Sequence, residues 1–298
     1  MKKYLVFDIG GTNIKYSLIT EEGRMLFISK HKTPKASLDE FLSLITKIAQ
    51  KYLKEIDGIA FSVPGKIDVD TGTIYFGGAL PYLDGLCLKQ FIEESFSLPC
   101  RIQNDAKAAA LAEQWKGSLQ HYSNAAVLVL GTGVGGGIIM DGKLRTGPHF
   151  QAGEVSMSVL DASQEGPLKM TGYIGSAVEM VKKINSTIGN PELCDGVSAF
   201  QLINEKDERI YPIFQKYCRT IAYLILNLQV VCDLTAYAIG GGISAQPIVV
   251  EEIRNQFNVF LEENPLLKLN IPKIEIFPTT FNNDSNLYGA LYTLLLEE

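Results

Sequence analysis

"LGTGVGGGII", Leu130 to Ile139, puts five glycines (Gly131, Gly133, Gly135, Gly136 and Gly137) where an apolar strand would otherwise continue. The run Ala125–Leu130 leads into them, and Ile138, Ile139 and Met140 resume the apolar pattern afterwards. Glycine weakens a regular element by roughly 0.5–1 kcal/mol relative to alanine, so this density must serve a purpose. Without Cβ atoms the backbone can turn sharply and converge its N–H groups on a ligand, a concavity suited to phosphate oxygens. A hairpin turn made of glycines for steric reasons is the plain alternative for a single loop. Two more glycine loops tell against it: "DIGGT", Asp8–Thr12, after the apolar run from Tyr4, and Gly240–Gly242 after Ala236–Ile239. Thr12 and Thr132 add hydroxyl donors in matching places. The stretch is neither the G-x-x-x-x-G-K-[ST] loop nor a dinucleotide fingerprint with its later acidic residue in place. Three glycine loops, each following a strand, suit a nucleoside triphosphate.

Working outward, the elements alternate. Tyr4–Asp8 reads as a buried strand. Ile14, Tyr16 and Leu18 alternate with polar neighbours as a second, and Met25–Ser29 is a third. Ser37 with Glu40 forms a capping box before a helix running to about Leu53. Strands follow at Gly58–Val63 and Cys100–Gln103, with a helix over Leu88–Phe96 between them and another over Ala106–Trp115. The pattern then restarts: strand Ala125–Leu130, glycine turn, strand Gly137–Met140. Helices are expected over Ser176–Ile184, Ile213–Val231, Ile248–Leu261 and Asn286–Leu295, with strands at Ala236–Ile239 and Lys273–Phe277. The class is α/β. Two halves share one design, strand, glycine turn, strand, as in a diverged duplication of two lobes around a cleft.

Composition narrows the function. The 298 residues are 46% hydrophobic and 20% charged, with a formal net charge of −6. That balance fills a globular core and disfavours partners that need clustered Lys and Arg, such as nucleic acid or an anionic membrane. No run is long and apolar enough to span a bilayer. Five scattered cysteines without a C-x-x-C pattern read as reduced thiols of a cytoplasmic protein.

Two acids carry chemistry. Asp8 ends a buried strand beside a phosphate-type loop, a costly position unless a cation or hydrogen bonds meet it. Mg²⁺ on a triphosphate, held through water, would do so; a simple Asx turn is the alternative. Asp105 ends one strand and begins a helix. It can be an N-cap, and it can equally accept a proton from a substrate hydroxyl attacking a γ-phosphate.

"FDIGGTNIKYSL", "SVPGKID", "QNDAKAAALAEQW", "LGTGVGGGIIMDGKL", "AGE" and "IGGGI" occur here in the order and spacing of the ROK family of sugar kinases, which the chain resembles over nearly its whole length. The resemblance implies a two-lobed actin/hexokinase-like ATPase fold of duplicated ribonuclease-H-like domains. It implies an N-terminal sugar-kinase lobe at 1–117 plus 281–298 and a C-terminal nucleotide and dimerisation lobe at 118–280. Asp8, Gly10, Gly11, Thr12, Gly131, Thr132, Gly133, Gly135, Gly240, Gly241 and Gly242 would hold ATP, with Mg²⁺ on Asp8 through water. Asp105 would be the general base. Asn104, Asp105, Glu154, Gly65, Gly78 and Ala79 would bind the sugar. A homodimer is implied by the same likeness.

One departure is informative. The family pattern A-G-E-x-G-H, followed by a cysteine cluster for structural zinc, reads "AGEVSM" here, with Met157 in place of the histidine. No cysteine lies between Cys100 and Cys194, and the histidines are His31, His121 and His149. A structural zinc needs about four N or S ligands, so none is expected. The β-glucoside kinases of the family also lack the zinc cluster and carry a "GGA" stretch, here Gly77-Gly78-Ala79. The expected activity is ATP-dependent phosphorylation of a sugar 6-hydroxyl, with a β-glucoside such as cellobiose as leading substrate. A hexose or N-acetylmannosamine kinase is the alternative within the class. A non-catalytic sugar-sensing regulator is the alternative outside it, disfavoured because the first strand leaves no room for an N-terminal helix-turn-helix.

Overall fold

The structure, a computed structural model, describes residues 1–297. Its contacts divide the chain into two compact units, one built from 1–117, 144–152 and 284–297, the other from 118–143 and 153–283.

Unit one opens with a meander, β1 (Lys3–Ile9), β2 (Asn13–Thr20) and β3 (Met25–Lys32), followed by helix α1 (Leu38–Gln50). Next come β4 (Gly58–Val63), a small hairpin of β5 (Lys66–Asp68) and β6 (Thr73–Tyr75), α2 (Leu88–Phe96), β7 (Cys100–Asn104) and α3 (Asp105–Lys116). The main sheet runs β3-β2-β1-β4-β7, with β1, β4 and β7 parallel. β1 shows why its sequence is apolar almost throughout. Leu5, Phe7 and Ile9 face a core closed by Phe41 and Ile45 of α1 and Leu88 and Ile92 of α2. Tyr4 and Val6 face the other way, against Leu287, Ala290, Leu291 and Leu294 of the C-terminal helix, Ser285–Leu295. A strand covered on both faces loses the polar alternation of an exposed one. Gly289 lets that helix approach α3 closely, since a Cβ there would collide with the Ala108 carbonyl.

Unit two repeats the scheme with β8 (Ala125–Leu130), β9 (Val134–Met140), β10 (Lys143–Leu144), helices α4 (Thr171–Ile174), α5 (Ala177–Ile188), α6 (Gly196–Asn204) and α7 (Tyr211–Cys232), then β11 (Ala236–Gly240), α8 (Pro247–Glu263), α9 (Pro265–Asn270) and β12 (Glu275–Pro278). Its sheet order, β10-β9-β8-β11-β12, is the order of unit one shifted to later strands. Leu128, Leu130, Tyr237 and Ile239 pack beneath Ile184, Ile221, Ile225 and Ile253. No helix among the described residues is long and apolar enough to cross a membrane.

Two sequence expectations change. The glycine turn is confined to Gly131–Gly133, where Gly131 N–H donates to the Gly133 carbonyl at 3.0 Å. The strand begins at Val134 and not at Gly137, so Gly135 and Gly136 also lie inside β9, opposite Val129 and Leu128 of β8. The cap of α3 is Asn104 and not Asp105: the Asn104 side-chain oxygen accepts from Ala106 N–H at 3.0 Å and Lys107 N–H at 3.2 Å.

Candidate active site

On unit one the sugar-side candidates form a connected group. β7 delivers Asn104 and α3 starts at Asp105, so both stand at the carboxyl end of the parallel edge strand beside β4, the end of the sheet where α/β folds bind ligands. Asn104 is 6% exposed, and its amide also donates to the Gly65 carbonyl at 2.9 Å. Gly65 must be glycine: its φ is +101°, and a Cβ would lie 2.8 Å from the Tyr75 carbonyl oxygen. Gly78, at φ +59°, packs on Pro64. Ala79 packs on Gly11, whose own Cβ would lie 2.8 Å from the alanine methyl. Asp105 accepts from Ala106 N–H at 2.7 Å. Asn104 and Asp105 thus share the Ala106 N–H, while the Lys107 N–H goes to Asn104, so Asn104 can cap the helix without the Asp105 carboxylate.

Asp8 sits on β1 beside the turn to β2. Burial pushes its carboxyl above the ordinary aspartate value, while the Asn286 amide and the Lys15 ammonium pull it back. Asn286 Nδ2 donates to Asp8 Oδ1 at 3.0 Å, and Lys15 Nζ lies 3.9 Å from Asp8 Oδ2 and 3.9 Å from Asp284 Oδ1. The glycine loop is pinned by Gly10 N–H to the Asn13 carbonyl at 3.0 Å and by Thr33 Oγ1 to the Gly10 carbonyl at 2.6 Å. Thr12 itself is exposed.

On unit two, the glycines serve close approach more than left-handed backbone. Gly136 faces the Gly153 carbonyl and Val155, so a side chain there would displace the segment carrying Glu154. Gly153 needs its own freedom at φ +84°. Gly133 lies against Ser156, whose hydroxyl takes Val134 N–H at 3.2 Å and donates to the Val134 carbonyl at 2.8 Å. Ala177 N–H, in the first turn of α5, donates to the Gly131 carbonyl at 2.9 Å. Thr132 is exposed at the tip. Gly241, at φ +94°, passes so close to the Leu130 backbone that only glycine fits, bringing the Gly240–Gly242 turn beside the β8 end of the Gly131–Gly133 turn. Met157 is 63% exposed in the short turn after Glu154.

Three residues absent from the sequence-derived site belong to its surroundings. Lys107 is only 2% exposed, with Nζ donating to the Phe150 carbonyl at 3.0 Å. A lone lysine inside the alanine-rich run "DAKAAALA" was a visible signal for it. Lys15 and Asn286 gave no such signal, because their link to Asp8 is made only by folding.

The ROK family model matches residues 4–297. The chain belongs to the ROK family. A β-glucoside kinase of Listeria monocytogenes is 29% identical over 99% of this chain and 98% of its own. A ROK family protein of Streptococcus pneumoniae, solved in complex with sucrose, is 28% identical and superposes with a TM-score of 0.87 over 99% of this chain and 98% of that one. A ROK glucokinase of Streptomyces griseus, solved with glucose and AMPPNP, is 23% identical with a TM-score of 0.80 over 97% of each chain. The fold is thus the two-lobed actin/hexokinase-like ATPase fold expected from the sequence.

Proposed function

We propose that this protein transfers the γ-phosphoryl group of ATP to the 6-hydroxyl of a β-glucoside such as cellobiose. The chain is a sugar kinase. The finer reading is supported by the β-glucoside kinase likeness over nearly the full chain and by the "AGEVSM" segment, in which Met157 stands in place of the family's histidine. The observation that carries the phosphoryl-transfer chemistry is Asp105, the first residue of α3, next to Asn104, whose side chain accepts the Ala106 and Lys107 N–H groups as the cap.

In the transfer, the sugar 6-oxygen forms a bond to the γ-phosphorus while the bond from that phosphorus to the β,γ-bridging oxygen breaks, leaving ADP. Asp105 accepts the hydroxyl proton. Asn104, Glu154, Gly65, Gly78 and Ala79 orient the sugar. The turns Gly10–Thr12, Gly131–Gly133 and Gly240–Gly242 would face the nucleotide with backbone N–H groups other than those of Gly10 and Gly131, which close the turns themselves, and Gly135 at the start of β9 would leave room for the phosphates. Asp8 fits a water-mediated Mg²⁺: a hard cation takes oxygen ligands, and a carboxylate penalised by burial gains from its charge. The metal would neutralise phosphate charge. A homodimer in the cytoplasm, without nucleic-acid or membrane partners, belongs to the same reading and accords with the net charge of −6.

A coupled ADP-release assay over cellobiose, gentiobiose, glucose, fructose and N-acetylmannosamine tests it. The highest kcat/KM should fall on a β-glucoside. A clear preference for N-acetylmannosamine or a free hexose would move the chain to the other branch of sugar kinases.

A further inference from the structure

Among the described residues only two phenylalanines hold a left-handed backbone, Phe76 at φ +54° and Phe150 at φ +59°. A bulky side chain in that region is an outlier that persists only where its surroundings impose it, and such outliers gather at ligand sites. Here the imposition comes from the first turn of α3 and its cap. Asn104 holds the Gly65 carbonyl, and Gly65 in turn packs backbone to backbone on Tyr75-Phe76. Lys107 holds the Phe150 carbonyl. Phe76 is fixed further by its N–H on Asp84 Oδ1 at 2.9 Å and by Gly78 N–H on its carbonyl.

This constraint does not bury the ring. Phe76 is 75% exposed and has no aromatic or cationic partner among the described residues, whereas the ring of its neighbour Tyr75 carries Lys66 Nζ at 5.0 Å from its centroid. A single exposed apolar residue is ordinary. An exposed phenylalanine held in a strained backbone, two residues before Gly78 and tied through Gly65 to the cap of the Asp105 helix, is not.

We propose that the Phe76 ring is the stacking platform for the second ring of a β-glucoside, the sugar or aryl group beyond the glucosyl unit being phosphorylated. Pyranose rings present an apolar C–H face that stacks on an aromatic face. A glucoside with a small aglycone does not reach the platform, so Phe76 sets preference by aglycone size. This rests on the β-glucoside reading above.

The test compares kcat/KM for cellobiose and for methyl β-glucoside, which differ in the second ring alone. Phe76→Gly removes the ring at a position whose φ glycine adopts without strain, so the fold should persist; thermal unfolding checks that. The cellobiose to methyl β-glucoside ratio should fall about tenfold in Phe76→Gly, as expected for one lost ring contact. It should stay within about twofold of wild type in Phe76→Tyr, which keeps the ring. An unchanged ratio in Phe76→Gly overturns the platform while leaving the β-glucoside reading intact. A wild-type enzyme inactive on both glucosides overturns both.

Discussion

Asp105 and Asp8 are two carboxylates of one unit with different expected behaviour. Asp105 lies at the N-terminus of α3, and the cap bonds there are made by Asn104. Asp105→Asn should therefore keep stability within about 1 kcal/mol of wild type. General-base catalysis is worth ~10²–10⁴-fold, and kcat should fall by about that much with little change in KM for ATP. Near-normal turnover of a verified sugar would reduce Asp105 to a structural acid. Asp8 is the reverse case. Its folded-state carboxyl is raised by burial, so its favourable contribution to stability is complete below the unfolded aspartate value of 3.8 and is lost as pH rises through the folded value. Where Asp8 is ionised in the folded protein, its buried charge costs the fold stability. Asp8→Asn should have a Tm at least as high as wild type at neutral pH, and the gap should close on acidification, while phosphoryl transfer is abolished. A markedly lower Tm for the variant at neutral pH would show that the Asn286 and Lys15 contacts outweigh burial.

At the scale of elements, β9 explains most of the glycines that open the second half. Gly136 is in a strand, and its missing side chain leaves room for the Gly153 carbonyl and for Val155, whose methyls would lie 3.1 Å from a Cβ. Gly136→Ala should push the 153–155 segment outward, with Glu154 on it. Overpacking of this kind costs roughly 1–3 kcal/mol. The sugar KM should rise about tenfold or more, since small misplacements of orienting groups are expensive in rate, while KM for ATP changes little. Unchanged sugar kinetics would remove Glu154 from the sugar site. The strand and helix order was legible because each element carries its own apolar period, and α1 even shows the capping residue, Ser37, taking Glu40 N–H at 3.2 Å. Less was legible where the reason is a distant backbone. The β5–β6 hairpin has strands of three residues, too short to show a period. The requirement for glycine at 136 comes from a carbonyl in another segment, and the cap of α3 shifted by one residue because Asn104 and Asp105 are both good caps by type.

For the whole molecule, chain connectivity and compactness diverge. The two strand-turn-strand halves were readable, but not that 144–152 joins the N-terminal unit, since no local signal marks a segment that packs away from its sequence neighbours. The C-terminal helix is the clearest case. It fills one face of the unit-one sheet against Tyr4, Val6, Ile19 and Ala60, and it supplies the Asn286 amide to Asp8. Unit one therefore cannot finish folding until the last residues of the chain are available, whereas unit two has its own core. The single tryptophan reports on this directly: Trp115 lies in unit one and stacks on Tyr292 of the C-terminal helix at 5.2 Å between centroids. Leu291 is fully buried on the same helix. Leu291→Ala should destabilise unit one by about 2–5 kcal/mol, the usual range for a buried leucine truncated to alanine. The Trp115 fluorescence midpoint in urea should drop accordingly. Ile253→Ala, in the core of unit two, should leave that midpoint closer to wild type while lowering the urea midpoint at which far-ultraviolet helix signal is lost. Equal shifts of the tryptophan midpoint in both variants would mean that the two cores unfold as one cooperative block.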